Sequence, residues 1–248
     1  MRTKIIQLDI GRGTQWGNHL TPKIIRKICI PSVINYAKKY NYDYSLVTES
    51  IYEKKVGPLN FLATKNKHYS FERYLNIPST SANIVYIDNE VYISKDAEPL
   101  PEISGVMAAY EPGETNSRKI FINVNNLSPT TGYLNSGVSM FDSDTSILIS
   151  EYMIQRAKRR ICANGKNTDN MMFNEFILEN PSLLNLLNEK WNYMPMLPGA
   201  SVGLKANFLH LVGIDGKNFA NQLAATKIPL DLLIEKVTVG EIKINKQR

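Results

Sequence analysis

Asn83-Ile-Val-Tyr-Ile-Asp-Asn-Glu-Val-Tyr-Ile93 begins as a β-strand and then breaks. Isoleucine, valine and tyrosine fill the run up to Ile87, as a buried strand requires. Asp88 and Glu90 then appear with one residue between them, where burial would be expected to continue. In open α/β sheets, ligands bind beyond the carboxyl ends of the strands. A carboxylate placed there between apolar neighbours must be ion-paired, hydrogen-bonded or bound to a metal. The pair therefore marks a candidate metal clamp for a phosphorylated substrate.

The stretches before it set the fold class. Lys4-Ile-Ile-Gln-Leu8 predicts a first strand, followed at once by Asp9-Ile-Gly-Arg-Gly13. Gly11 and Gly13 fit neither the Walker spacing nor G-x-G-x-x-G, because position 16 is Trp16. That disfavours a P-loop ATPase and a Rossmann dehydrogenase. Pro22 to Tyr40 reads as helical, with a break or kink expected at Pro31, which has no amide hydrogen. Asn41 to Val47 reads as a turn feeding a second strand. Strand, helix, strand is the start of a parallel sheet.

Before the central strand, residues 66–75 predict a helix carrying Arg73, and beyond it Val106–Tyr110 predicts another strand. Glu111 to Ser117 reads as a loop able to act as a lid. In Thr131 to Phe141 the Asn135-Ser-Gly137 triplet interrupts a strand pattern, and glycine there marks a bulge or a close approach. Asp144 opens a helix to about Cys162. Asp169 opens another, placed as a cap or first-turn acid. Phe208-Leu-His-Leu-Val-Gly-Ile-Asp-Gly-Lys217 is a short apolar strand with one histidine, then a glycine turn with a lysine. An amphipathic helix from about Asn218 to Glu235 and a basic tail from 236 to 248 complete the chain.

Twenty-nine basic and 23 acidic residues give a net charge of +6 and a pI near 9.1, a balance that favours anionic partners. The lysines and arginines are scattered in short clusters without interleaved aromatics or a known binding motif, so nucleic acid is not expected. The charge is compatible with weak peripheral contact at a membrane surface. No stretch approaches the ~20 apolar residues of a membrane span. Two cysteines and an early-charged N-terminus predict a cytoplasmic protein without disulfides.

Asp88, Glu90 and His210 offer two oxygens and one nitrogen, a set suited to manganese or magnesium. Lys217 would neutralise the phosphates of the same ligand. Such a metal acts as a Lewis acid on a departing diphosphate. The set resembles the GT-A fold glycosyltransferases, nearest the glycogenin and galactosyltransferase-like retaining group. The matching stretches are Tyr86-Ile-Asp88-Asn-Glu90, Asn135-Ser-Gly-Val138, Asp169-Asn-Met-Met-Phe-Asn174, Trp191-Asn192, and, against the family's H-x-x-G-x-x-K, His210-Leu-Val-Gly213-Ile-Asp-Gly-Lys217.

The resemblance implies one α/β domain over residues 1–235, with a mixed, mostly parallel sheet flanked by helices. Residues 1–110 would form the nucleotide-binding half, 111–217 the acceptor half and 218–235 a closing helix. It implies transfer of a hexose from a nucleoside-diphosphate sugar, a UDP-sugar by preference, to a saccharide or glycan acceptor. Asp88, Glu90 and His210 would hold Mn2+ or Mg2+. Gly213 and Lys217 would contact the diphosphate, Arg73 the donor, and Asp9 the base or ribose. Asn135 and Asp169 would face the sugar and acceptor. The family's second triplet acid is aspartate where this chain has Glu90, and its glutamine is Asn170 here. An inverting reaction would need a base, for which Asp169 and Asp142 are the candidates. The alternatives are a glycoside hydrolase using Asp88 and Glu90, a non-enzymatic basic protein that binds nucleotides or nucleic acid, and a glycosyltransferase-like binding module without activity.

Overall fold

A computed structural model describes residues 2–10, 23–56, 71–77, 82–160, 169–195, 197–201, 203–211 and 230–241. Six strands form the main sheet: β1 (Arg2–Leu8), β2 (Asp43–Val47), β3 (Ala82–Ile87), β5 (Val106–Tyr110), β6 (Leu134–Phe141) and β7 (Leu184–Leu186). Their order is β2-β1-β3-β6-β5-β7. β1 runs parallel to β2 and β3, and β5 parallel to β7, while β6 is antiparallel to both its neighbours. The sheet is therefore mixed and mostly parallel, as the sequence predicts. A second sheet pairs β4 (Val91–Ile93) with β8 (Phe208–His210), antiparallel.

Alternate residues along the strands serve two cores, the period-two pattern of a sheet covered on both faces. Ile6, Ile84, Val106, Ala108 and Phe141 join one. That core includes residues of α2 (Tyr52–Val56), α3 (Glu72–Leu75), α5 (Ser143–Arg160) and α6 (Asp169–Glu179). Ile5, Val85, Ile87, Val138 and Met140 join the other, beneath Val33, Tyr36 and Ala37 of α1 (Lys23–Lys39). A third cluster gathers Tyr92, Leu209 and Cys29 with Leu233, Ile234 and Val237 of α7 (Leu230–Thr238). The remaining helix, α4, spans Asn116–Val124.

Several boundaries differ from the sequence expectation. α1 runs through Pro31 as one helix. A proline inside a helix costs about 3 kcal/mol, but Cys29, Val33, Tyr36 and Ala37 on either side are all buried, and this packing outweighs it. Ser32 also donates to the Cys29 carbonyl (2.6 Å) and accepts from the Ile93 amide (2.9 Å), tying the helix to β4.

β6 runs without interruption from Leu134 to Phe141 but bulges where the sequence predicts: Ala108 pairs with Ser139 and Ala109 with Asn135, so Ser136, Gly137 and Val138 have no partner on β5. The loop before α4 ends at Thr115, whose hydroxyl caps the Arg118 amide (3.2 Å). Arg118 donates to the carbonyls of Gly113, Pro129 and Thr131, so the segment expected to serve as a lid is tied down. α7 extends to Thr238, past the expected start of the tail, because Val237 and Thr238 are buried. Among the described residues, no helix is long and apolar enough to cross a membrane.

Candidate functional site

β1 hydrogen-bonds to β2 on one side and to β3 on the other, so the chain reverses its direction of addition there. Ligands in open α/β sheets bind at such a reversal. Asp9 and Asp88 stand just past the carboxyl ends of β1 and β3. Gln7 Nε2 links the two strand ends by donating to the Asp88 carbonyl (3.1 Å).

The Asp88 amide donates to the Gly137 carbonyl (2.7 Å), and the Val91 amide turns back onto the Asp88 carbonyl (3.2 Å). The chain thus leaves the main sheet at Asp88 and re-enters pairing as β4. Val91 is registered with His210, and the Leu211 amide donates to the Glu90 carbonyl (3.1 Å). This small sheet carries His210 to the two acids from 120 residues away in sequence.

His210 is 1% exposed, and its Nε2 has no hydrogen-bond partner. It lies 3.6 Å from Asp88 Oδ2 and 3.6 Å from Glu90 Oε1. The other ring nitrogen, Nδ1, is 2.9 Å from Asn192 Oδ1. Asn192 is itself fully buried and donates to Asn135 Oδ1 (3.1 Å), which also accepts from the Gly137 amide (2.9 Å).

Gly137 is needed for this approach. A methyl group placed there would sit 2.1 Å from His210 Cε1 and 2.6 Å from Asp88 Oδ2. The side-chain nitrogen of Asn135 reaches Glu111 Oε2 at 3.4 Å.

Asp88 Oδ1 is held separately. It accepts from the Tyr86 hydroxyl (2.7 Å) and from Arg73 (3.1 Å). Arg73 also donates to Ser136 through its carbonyl (2.7 Å) and hydroxyl (2.9 Å), pairs with Asp169 (3.3 Å) and lies over the Tyr86 ring at 4.0 Å. Burial works against the charge of Arg73, but Tyr86, Asp88 and Asp169 hold the guanidinium pKa above its ordinary value. Burial also pushes the Tyr86 hydroxyl up, so it stays a donor to the carboxylate. Asp88 thus has one anchored oxygen and one facing His210, and its side chain is 23% exposed.

Asp169 stands in the first turn of α6, nine-tenths buried. One residue on, Asn170 accepts from the Ser136 amide (2.8 Å), and Asn174 both accepts from and donates to the Leu134 backbone. The asparagines of the Asp169–Asn174 motif therefore clamp β6. Asp9 is buried and ion-paired with Arg26.

Asp142 follows Phe141, which pairs with Ile84 near the start of β3, at the far end of the sheet from Asp88. It accepts from the Thr145 and Gly105 amides. Partial burial works to raise its pKa, but these amides hold the carboxyl below its ordinary value. Its work is capping α5, and it is withdrawn as a candidate base.

Gly213 and Lys217 lie outside the described residues. Lys217 also falls one residue beyond the H-x-x-G-x-x-K spacing. Tyr86, Ser136, Glu111 and Gln7 belong to the neighbourhood although the sequence reading passed over them. Tyr86 was findable, since residues i and i+2 of a strand share a face.

Two carboxylate oxygens flanking a buried nitrogen that lacks a partner fit a hard divalent ion that accepts one nitrogen. Neighbouring ligands of a compact octahedral ion lie roughly 3 Å apart, somewhat closer than the 3.6 Å gaps here. Among the described residues, no group of three or more His, Cys, Asp or Glu side chains is placed to hold a metal ion as it stands. The Asp88 and Glu90 side chains are 23% and 19% exposed. A separate cavity of about 590 Å³, lined by residues such as Lys27, Asn35, Lys39 and Tyr92, includes none of these candidate residues.

No protein-family model matches the sequence, and no curated protein matches it. Solved structures do match. A glycosyltransferase involved in glycosylation of the major capsid of PBCV-1 aligns with a TM-score of 0.56 at 13% identity, over 91% of this chain and 100% of that one. The galactosyltransferase LgtC, solved with donor and acceptor sugar analogs, aligns with a TM-score of 0.51 at 10% identity, over 94% and 99%. At such identities the likeness is one of fold, and the fold is that of the GT-A glycosyltransferases.

Proposed function

We propose that this chain is a metal-dependent glycosyltransferase that moves a hexose from a nucleoside-diphosphate sugar, a UDP-sugar by preference, to a saccharide or glycan acceptor. The observation that carries it is the meeting of Asp88, Glu90 and the unpartnered His210 Nε2 at the carboxyl edge of β3, within a GT-A fold. Asp88 Oδ2, Glu90 and Nε2 would hold Mn2+ or Mg2+, which when bound supplies Lewis-acid stabilisation to a departing diphosphate. Gly213 and Lys217 would contact that diphosphate, and Asp9 the base or ribose. The donor would lie against residues 1–110 and the acceptor against 111–217.

Arg73 fixes the orientation of Asp88, bridges it to Asp169, and would face the donor from the β3 side. Asn135 spends its carbonyl oxygen on Gly137 and Asn192, so its amide nitrogen is what it can present to a sugar hydroxyl. Retention of anomeric configuration is favoured. Of the two acids considered as bases, Asp142 caps a helix at the far end of the sheet and Asp169 is paired with Arg73. A glycoside hydrolase would need its two acids on opposite faces of the scissile bond, whereas Asp88 and Glu90 converge on one nitrogen.

Calorimetry with uridine diphosphate, with and without Mn2+, tests the proposal. Binding that requires the metal and disappears in Asp88→Ala, with the melting transition retained, is the expected result. No binding in either condition overturns it, as does full affinity in Asp88→Ala.

A further inference from the structure

We infer that the backbone amide of Gly137 sets the tautomer of His210 through Asn135 and Asn192, making Asn192 a positioning residue for the metal clamp. Each step follows from what a group can donate. The Gly137 amide can only donate, so the Asn135 atom it meets at 2.9 Å is the carbonyl oxygen. The Asn192 atom 3.1 Å from that oxygen must then be its amide nitrogen, since two oxygens would repel. The other atom of Asn192, 2.9 Å from His210 Nδ1, is therefore its oxygen and needs a donor. Nδ1 carries the hydrogen, and Nε2 is left as a bare lone pair facing Asp88 and Glu90.

All three side chains are at least nine-tenths buried, so water does not compete for these bonds. The alternative tautomer would point an Nε2 hydrogen at the carboxylates and set two lone pairs, those of Nδ1 and Asn192 Oδ1, against each other. A fixed backbone donor thus holds the imidazole in the one neutral form that can bind a cation beside two acids. In metal sites the hydrogen bond made by the other ring nitrogen commonly plays this part. Here it is relayed from a strand amide by two asparagines distant in sequence. The tautomer rests on hydrogen bonds alone; its use in binding a metal rests on the proposed function.

The test uses the full chain, labelled with nitrogen-15, in mildly alkaline buffer where an ordinary imidazole is neutral. Long-range proton–nitrogen correlation separates the two tautomers. The chain has three histidines, and His210→Gln identifies the signal. The expected spectrum has a protonated Nδ1 and a pyridine-like Nε2 at His210 in the metal-free protein. In Asn192→Leu the pattern should invert or become mixed, and Mn2+ affinity by calorimetry should fall about 10–100-fold. Asn135→Leu breaks the relay one step earlier and serves where Asn192→Leu does not fold.

A protonated Nε2 in the parent overturns the inference even if Mn2+ binds. Unchanged Nδ1 protonation in the relay variants overturns the part given to the asparagines. A parent with protonated Nδ1 that binds no Mn2+ supports the relay and refutes the proposed function instead.

Discussion

Replacing Gly137 with alanine tests the site with a single carbon. The new Cβ would stand 2.1 Å from His210 Cε1, against a carbon–carbon contact of about 3.5–4.0 Å. The ring or the strand must give by about 1.4 Å or more. The ring is 1% exposed and held at Nδ1, and Gly137 is tied to the end of β3 through the Asp88 amide. Overpacking of this kind costs about 1–3 kcal/mol, which for a chain of this size lowers the melting temperature by about 2–12 °C. Metal ligation tolerates about 0.2 Å, so the Mn2+-dependent affinity for uridine diphosphate should fall at least about 10–100-fold.

Gly132 provides the control. A Cβ there would meet the Tyr110 ring at 2.2 Å, but Tyr110 is 48% exposed and can swing into solvent. Gly132→Ala should therefore stay within about 0.5 kcal/mol of the parent. Differential scanning calorimetry and titration calorimetry on both variants read the outcome. Parent-like melting and affinity in Gly137→Ala would refute the placement of His210 and Asp88 against β6.

Arg73→Lys keeps the charge but not the fork that reaches Ser136, Asp88 and Asp169; Arg73→Ala, which strands two mostly buried carboxylates, should cost about 3–5 kcal/mol in chemical denaturation, with the lysine variant between it and the parent. Asp142→Asn should destabilise at neutral pH, because an amide cannot accept from both Thr145 and Gly105. A carboxyl with a lowered folded pKa stabilises above its unfolded value near 3.8 and loses that contribution as pH falls through the folded value, so parent and variant melting curves should converge in acid. Glu235→Ala removes the acceptor of the Tyr92 and Ser94 hydroxyls and should release α7 from β4 at a cost of about 1.5–3 kcal/mol, seen as faster amide exchange in residues 91–94 than in β3.

The main sheet was legible because its strands are apolar runs bounded by breaks, and Asp88, Glu90 and His210 stood out as polar groups in such runs. Local backbone chemistry predicts a break or kink at Pro31; the helix does not break there, because the buried residues flanking it hold it together. β7 could not be read: Leu184-Asn-Leu186 is too short for a periodicity, and it exists because β5 offers it an edge. Helix α4 escaped because its apolar face buries little besides Phe121. Asn170 and Asn174 looked like part of a substrate motif and proved to grip β6. A sequence shows that an asparagine can make two kinds of hydrogen bond, but not which backbone it will meet.

The small sheet explains why the site needs so few residues. Side chains alternate along a strand, so a slip of one residue between β4 and β8 would replace His210 with Leu209 or Leu211 opposite Val91. Three-residue strands cannot fix a register by themselves. Here the register is set from outside: the Tyr193 amide donates to the Phe208 carbonyl (2.9 Å) and the His210 amide to the Tyr193 carbonyl (2.8 Å), while the Leu211 amide carries the β4–β8 ladder on to the Glu90 carbonyl (3.1 Å). Tyr193 directly follows Asn192, the residue that holds the His210 ring. One short segment, Trp191-Asn-Tyr193, thus fixes the backbone of β8 through Tyr193, its key side chain through Asn192, and its packing through the Trp191 ring against Phe208 (5.3 Å). The break after Ile87 is therefore a junction at which the main sheet supplies Asp88 and Gly137, the small sheet supplies His210, and Glu90 lies in the turn between them.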